Sequence, residues 1–568
     1  MNGDPAAGLP RAAADAGGHI DGRVDARVYV LVALLALAAA GPSLLNGFAY
    51  DDQWIIVTNP RVHDLHHWAD WFRTSYWPTS EASLYRPLAS TAFALQWIAG
   101  HGTPLVFHIV NVVLAVAGAV AFLWLASLML PPAAATVVAA LFAVHPVHVE
   151  ATGNVVGQSE LAAGLIMLIA TAMYIRARRD AMLTPGARLG IAALYLAGMF
   201  FKENAIVLPA WLLAAEATVL RNDAPLGDAI RARWRALVPF NALLACVALL
   251  AVAIRWKVIG AIGGDISHPA LDNLHAPQRA LVMLGVLPDA LRLLVWPAKL
   301  FADYSPMHVT ISASPNVSQI NGILVLLGMA VLLVVAWRKN ATAAFGLSIA
   351  AIAWLPTANI VFPSGVLLAE RALYLPSAGM LLAAGTAVAW GMRRFSGATS
   401  AAPVALAALG VVLVAGTVRS VDRQRTWRSS EDVFLTMRRD EPTSFRAHYA
   451  WGGLLFERGD LVNGEREWRM AIRIMPGYHK IYEDLASRYL QAHLCVAAVP
   501  MYRKAIELAG TLPLSRAGIV ACELETSQFR AARHEARLGM IDGNDPRWFR
   551  ARLFSAESAL VALDSIRK

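Results

Sequence analysis

Of the 568 residues, 57% are hydrophobic and 16% charged; the formal net charge is +9 and the mean hydropathy +0.49. Soluble domains carry about 25% charged residues, so a string of soluble domains is excluded, as is a disordered, collagen-like or disulfide-built chain. The charges are uneven, with 24 Lys+Arg and 19 Asp+Glu from Arg419 onward against 25 and 21 in the 418 residues before it. A membrane body followed by a soluble tail is the reading.

In chain order, residues 1–27 are rich in Ala, Gly and Asp and read as a disordered cytoplasmic N-terminus. Val28 to Leu45 is too long and poorly placed for a cleaved signal, so it reads as a retained first span. Further apolar segments run at about 105–129, 133–149, 159–175, 187–201, 204–220, 237–258, 318–337, 343–356, 372–392 and 401–418. Two other helical stretches, 88–100 and 278–300, read as interfacial or re-entrant. The first is short of the ~20 residues a span needs, and Pro288, Asp289 and Arg292 interrupt the second. Leaving both out gives eleven spans in the body, 28–418. The cytoplasmic loops then hold Arg176, Arg178, Arg179 and Arg188; Arg221, Arg231, Arg233 and Arg235; Arg338 and Lys339; and Arg393 and Arg394. Counting either stretch as a span inverts everything after it and breaks that pattern. The tail, 419–568, falls outside the cytoplasm, although Arg419, Arg423, Arg425 and Arg428 then lie on the wrong side for the rule. The basic balance therefore follows from membrane insertion. No Lys/Arg run interleaved with aromatics points to nucleic acid.

The tail repeats every 34 residues: Gly464, Trp468 and Ala471 recur as Ala498, Tyr502 and Ala505, and more faintly as Ala532, Ala536 and Gly539. Small–aromatic–small at these offsets fits a tetratricopeptide repeat, with flanking helices expected at 428–440 and 546–566 as caps. Such a solenoid binds an extended peptide in its concave face or serves as a spacer. Cys246 lies in an apolar run. Cys495 and Cys522 form either one disulfide, if the tail is in an oxidising compartment, or two buried thiols.

Charges beside apolar segments are costly and point to function. Under the eleven-span topology the distinctive ones share the outer surface. Tyr50-Asp51-Asp52 follows the first span, where paired carboxylates suit a general base, a cation site or a solvated cap. Arg86, before Pro87, stands at a helix entrance, placed to grip a phosphate or to snorkel to headgroups. His145, His148 and Glu150 surround Pro146, which breaks the spacing of a helical metal site and favours polar lining of a site. Gly157 to Glu160 follows. Lys202-Glu203 interrupts two apolar runs, and Glu370-Arg371 opens another, four residues before Tyr374. Cations for a phosphate leaving group and a carboxylate for a hydroxyl acceptor are the needs of a lipid-linked transfer. A channel or carrier instead places its charges in mid-span.

These motifs occur in the order YDD, YRPL, HPVHVE, FKEN, LPTANIVFP and ERALYLPS, with the repeats after the last span. In that pattern the chain resembles the transmembrane and tetratricopeptide-repeat-containing protein family over about residues 28–540. The resemblance implies an all-α, polytopic membrane glycosyltransferase of the GT-C fold. It implies about 11 transmembrane helices plus membrane-parallel helices at 88–100 and 278–300, and a C-terminal tetratricopeptide-repeat α-solenoid. The implied activity moves a hexose, mannose in the family, from a polyprenyl-phosphate donor to Ser/Thr hydroxyls of a protein acceptor held by the repeats. It needs no nucleotide sugar and no obligatory metal cofactor. Asp51, Asp52 and Glu150 are the implied catalytic residues, with either aspartate open as the base. Tyr50, Arg86, His145, His148, Lys202, Glu203, Glu370, Arg371 and Tyr374 are the implied substrate contacts, Arg371 foremost at the lipid phosphate. Two clear repeats, where eukaryotic relatives carry long arrays, suit a bacterial inner-membrane protein whose site and tail face the periplasm. A membrane-anchored repeat scaffold without catalysis, and a transferase acting on a glycan or lipid, are the alternatives.

Overall fold

The structure is a computed structural model. It describes residues 24–78, 84–180, 183–221, 226–262, 271, 274–304, 316–395, 401–542 and 546–567, with backbone alone at 226–236, 401, 542, 564, 566 and 567. The expected N-terminal segment therefore lies outside the described residues up to position 23. Every regular element among the described residues is helical.

Among the described residues, seven helices are long and apolar enough to cross a membrane: Ala26–Leu45, Pro104–Ser127, Val155–Arg179, Leu237–Ile259, Val317–Lys339, Glu370–Arg394 and Ala402–Trp427. An eighth candidate, Pro132–Ala143 with Pro146–Gly153, is bent by 46°. The bend has a local cause: proline disfavours helical backbone in the residue before it, and His145 is extended. The other three expected segments appear as the shorter helices Pro185–Phe201, Leu208–Ala217 and Ala341–Trp354. At ~1.5 Å per residue, none of these three reaches the ~30 Å of a bilayer core. The two stretches read as non-spanning are the helices Pro87–Gly100 and Ala276–Val295, and neither is among the candidate spans.

Leu324, Leu327 and Val331 on Val317–Lys339, and Val404, Leu406 and Val411 on Ala401–Gln424, are exposed. Rows of exposed aliphatic side chains on long helices suit a lipid surround. The chain is an integral membrane protein. Inside, Pro104–Ser127 packs against Ala26–Ala40, Pro132–Ala143 and Gln158–Arg179 around the buried rings of Phe122, Phe142 and Tyr174. Ala341–Trp354 lies directly on Tyr374–Arg394. A Cβ on Gly346 would sit 2.6 Å from the Gly379 carbonyl oxygen, so only glycine admits that backbone approach.

Basic residues close several of these helices at one end. Gln158–Arg179 finishes on Arg176, Arg178 and Arg179, Val317–Lys339 on Arg338 and Lys339, and Tyr374–Arg394 on Arg393 and Arg394. The basic stretch at the far end of the body is partly structural. Arg423 is buried and pairs with Glu370 at 3.3 Å, while Arg419 donates to the Ala298 carbonyl at 3.1 Å. The position 418/419, where charge density changes, falls inside the helix Ala401–Gln424, which the short turn Arg425–Trp427 follows.

Among the described residues, the tail is a succession of eight helices from Ser430–Asp440 to Pro546–Arg567, each packed on the next. Trp468 seats on Gly452, Tyr502 on Gly518 and Phe549 on Gly539, so a small residue admits the ring at each crossing. Cys495 and Cys522 form a disulfide, Cα atoms 5.2 Å apart, between helices Cys495–Ala509 and Pro513–Glu525. Closing a loop of this length is worth about 3 kcal/mol. Reduction is expected to lower the thermal midpoint of the tail, and the Cys495→Ser/Cys522→Ser variant to melt at that lower midpoint with or without reductant. An unchanged midpoint on reduction refutes the bond's contribution.

Candidate active site

The loops at one end of the spans, together with the first helices of the tail, enclose a cavity of about 1500 Å³. Tyr50, Asp51, Arg86, Glu150, Glu160, Lys202, Glu203 and Arg371 line its polar floor. Met199, Phe200, Ile206, Val207, Ala251 and Val252 form an apolar side, and Arg446, Tyr449, Asp484 and Arg488 continue it along the tail. Its floor and the basic clusters sit at opposite ends of the same helices. Glu160 is in the first turn of Gln158–Arg179, and Arg371 precedes Tyr374–Arg394.

The floor is an array of ion pairs. Arg371 donates its backbone N–H to Glu150 Oε2 at 2.9 Å and its guanidinium to Oε1 of the same carboxylate. Arg86 makes a two-pronged bond to Glu203, at 2.9 and 2.6 Å, with its guanidinium 5.2 Å over the Tyr76 ring. Lys202 pairs with Glu160. Each of these three cations is thus held in place by its own carboxylate.

The two adjacent aspartates have opposite surroundings. Asp52 is fully buried, and its carboxylate accepts backbone N–H groups from Ala49 at 3.0 Å, Val155 at 3.2 Å and Val156 at 2.9 Å. It clips the loop after the first span to the loop after Val149–Gly153. Burial pushes its carboxyl up to about 7, against the pull of those three N–H groups. Asp51 faces the cavity. Among the described residues, it is the floor carboxylate with no hydrogen bond or ion pair. Burial pushes it above the ordinary carboxylate range, while Arg371 and Arg446 pull it down.

Of the twelve residues that the sequence groups together, Tyr50, Asp51, Arg86, Glu150, Lys202, Glu203 and Arg371 line the cavity. Asp52, His145, His148, Glu370 and Tyr374 do not. His145 contacts the Leu294 carbonyl through Nε2 at 3.2 Å and accepts the Val147 N–H at Nδ1, closing the turn that Pro146 opens. His148 meets Ser377 Oγ at 2.8 Å, and its ring packs on Tyr374, centroids 4.7 Å apart. Glu370 is occupied by Arg423 and by the Tyr304 hydroxyl, which donates at 3.0 Å. His145 and His148 flank the break at Pro146, where these contacts engage them. No group of three His, Cys, Asp or Glu among the described residues is placed to hold a metal ion.

The cavity adds residues that sequence reasoning left unassigned. Glu160 stood in a quoted motif, and its signal was a carboxylate in the first turn of an apolar helix. Arg255 is buried at the cavity end of an apolar helix. Arg446 carried no signal, being one of the tail's many basic residues.

Over 73% of this chain, human protein O-mannosyl-transferase TMTC3 is 26% identical. The chain is similar to the TMTC protein O-mannosyl-transferases. The mouse protein O-mannosyl-transferase TMTC4 is 26% identical over 78% of this chain, and the Drosophila melanogaster Tmtc2 is 31% identical over 45% of it. The chain spans about half the length of TMTC3, 47%, and 65% of TMTC4. No family model matches it. The motifs YDD, YRPL, HPVHVE, FKEN and ERALYLPS supply Asp51, Arg86, Glu150, Lys202 and Arg371 to the cavity floor.

Proposed function

We propose that this chain is a glycosyltransferase of the GT-C fold, with the tail a tetratricopeptide-repeat α-solenoid. It moves a hexose, mannose by the names of its relatives, from a polyprenyl phosphate to a Ser/Thr hydroxyl of a protein. The observation that carries this reading is Asp51, an uncommitted carboxylate at the floor of a cavity whose cations Arg371, Arg86 and Lys202 are each paired with another carboxylate. Asp51 takes the proton of the acceptor hydroxyl as its oxygen attacks the anomeric carbon. The bond from that carbon to the phosphate oxygen breaks on the opposite face, and the sugar is inverted. Arg371, with Lys202 and Arg86, stabilises the charge that grows on the departing phosphate.

The apolar side from Met199 to Val252 suits a prenyl chain, and the continuation past Tyr449 and Arg488 suits an extended acceptor polypeptide. Two observations support an extracytoplasmic site, periplasmic in a bacterial inner membrane. The floor lies at the helix ends opposite the basic clusters, and the tail carries a disulfide. In this reading 28–418 is the catalytic body and 419–568 the acceptor-binding domain.

The test is transfer from polyprenyl-phosphate mannose to a Ser/Thr peptide by the full chain in lipid nanodiscs. Absence of transfer with every polyprenyl-phosphate hexose tried sinks the proposal. A base works only when unprotonated, so kcat/KM is expected to rise with pH on an acid limb. Because burial raises Asp51, the midpoint of that limb lies above the ordinary aspartate value of about 4. A rate flat from pH 4 to 8 contradicts the assignment.

A further inference from the structure

The segment that carries Asp51 is held from the tail. Gly47 N–H donates to the Arg428 carbonyl at 2.9 Å, and Tyr50 N–H donates to Ser430 Oγ at 3.0 Å. Tyr50 itself has φ 56°, in the left-handed region that a non-glycine residue keeps only where its surroundings hold it. Its ring meets Phe434 edge-on, centroids 5.9 Å apart. Beneath it, Ala49 and Val149 share one buried cluster with Trp427, Val433, Met437 and Ala447. A second tail residue reaches the cavity on its other side. Arg446 pairs with Asp303 at 3.3 Å and donates to the Gly365 carbonyl at 3.0 Å, tying together two loops that line the cavity.

We propose that the root of the tail, residues 427–447, is a working part of the reaction centre. Ser430 is a positioning residue that sets the backbone of Tyr50 and Asp51, and Arg446 is a positioning residue that closes the facing wall. This inference rests on the transferase reading of the cavity. It assigns the tail a part in the chemical step, beyond any capture of acceptor. The physical reason is reach: a misplacement of about 1 Å at a reacting group costs on the order of 10²-fold in rate. The backbone N–H of the strained residue next to the base is taken by a hydroxyl that the body does not supply.

Steady-state kinetics of the full chain in nanodiscs, with polyprenyl-phosphate mannose and a Ser/Thr peptide, test this. Ser430→Ala is expected to lower kcat about tenfold or more, with acceptor KM within twofold and the thermal midpoint unchanged. Ser430→Thr, which keeps the hydroxyl, is expected to restore most of the rate, and Arg446→Gln to show the same split as Ser430→Ala. An unaltered kcat in Ser430→Ala overturns the proposal, and so does a change confined to acceptor KM. Hydrogen exchange over residues 46–54 gives a readout independent of turnover, and faster exchange in Ser430→Ala is the expected result. If the wild-type chain transfers no sugar, the transferase reading fails. Exchange alone then decides the positioning role, and unchanged protection overturns it.

Discussion

Asp51→Asn is expected to lower kcat by about 10² to 10⁴-fold while leaving folding intact, whereas Asp52→Asn is expected to lose the fold first. The first figure is the usual worth of a positioned general base. Among the described residues Asp51 makes no side-chain hydrogen bond, so an amide there removes basicity without breaking one of the contacts described. Asp52 is different because its carboxylate takes three backbone N–H groups, and the donors at Ala49 and Val155 are buried. Oδ2 accepts from Ala49 and Val155, and Oδ1 from Val156. An asparagine keeps one oxygen and turns its NH2 toward at least one backbone N–H, leaving donor against donor. Each stranded buried group costs about 1–3 kcal/mol. Thermal midpoints of the two purified variants, set beside their rates, check the pair. Equal loss of rate at equal stability in both would remove the distinction between base and brace.

Arg371 carries the second large effect. Its replacement by Ala is expected to lower kcat by about 10² to 10³-fold, the range for a donor aimed at charge that appears in the transition state. Arg371→Lys is expected to recover only part of this, since an ammonium cannot reproduce a planar fork. The Glu150 carboxylate holds Arg371 by both its N–H and its guanidinium. Glu150→Gln is therefore expected to raise the donor KM and lower kcat together, by loosening the cation. Donor titrations at saturating acceptor measure these effects. A full rate in Arg371→Ala would remove it from the phosphate.

Much of the molecule was legible in the residue string because membranes tax polar groups heavily. Few charges occur in the body, so the position of each is informative. Motif by motif, they mark the loops that meet around the cavity. The two helices that are not among the candidate spans could be told from the rest by shortness in one case, and by Pro288, Asp289 and Arg292 in the other. Span length was less legible. Pro185–Phe201 and Ala341–Trp354 read as apolar runs like the rest, and their helices end after 17 and 14 residues. At the site, the sequence could not separate Asp51 from Asp52. What tells them apart is the pair of N–H groups at Val155 and Val156, over a hundred residues away. Polar character likewise placed His145, His148, Glu370 and Tyr374 with the site, although the turn at Pro146, Ser377, Arg423 and helix packing occupy them.

The tail was legible as helical and repetitive but not as part of the centre. Its 43 charged residues look alike in sequence, and nothing marks Ser430 or Arg446 among them. Hydrophobic periodicity and the scarcity of charge are local properties, so the chain alone determined which segments are apolar helices, the basic ends of several of them and the motifs that meet at the cavity. Which carboxylate stays uncommitted, which cation each of the others holds, and which tail groups reach the floor are pairings across as many as 380 positions. Only packing decides such pairings, because a buried charge takes the partner that the fold delivers to it.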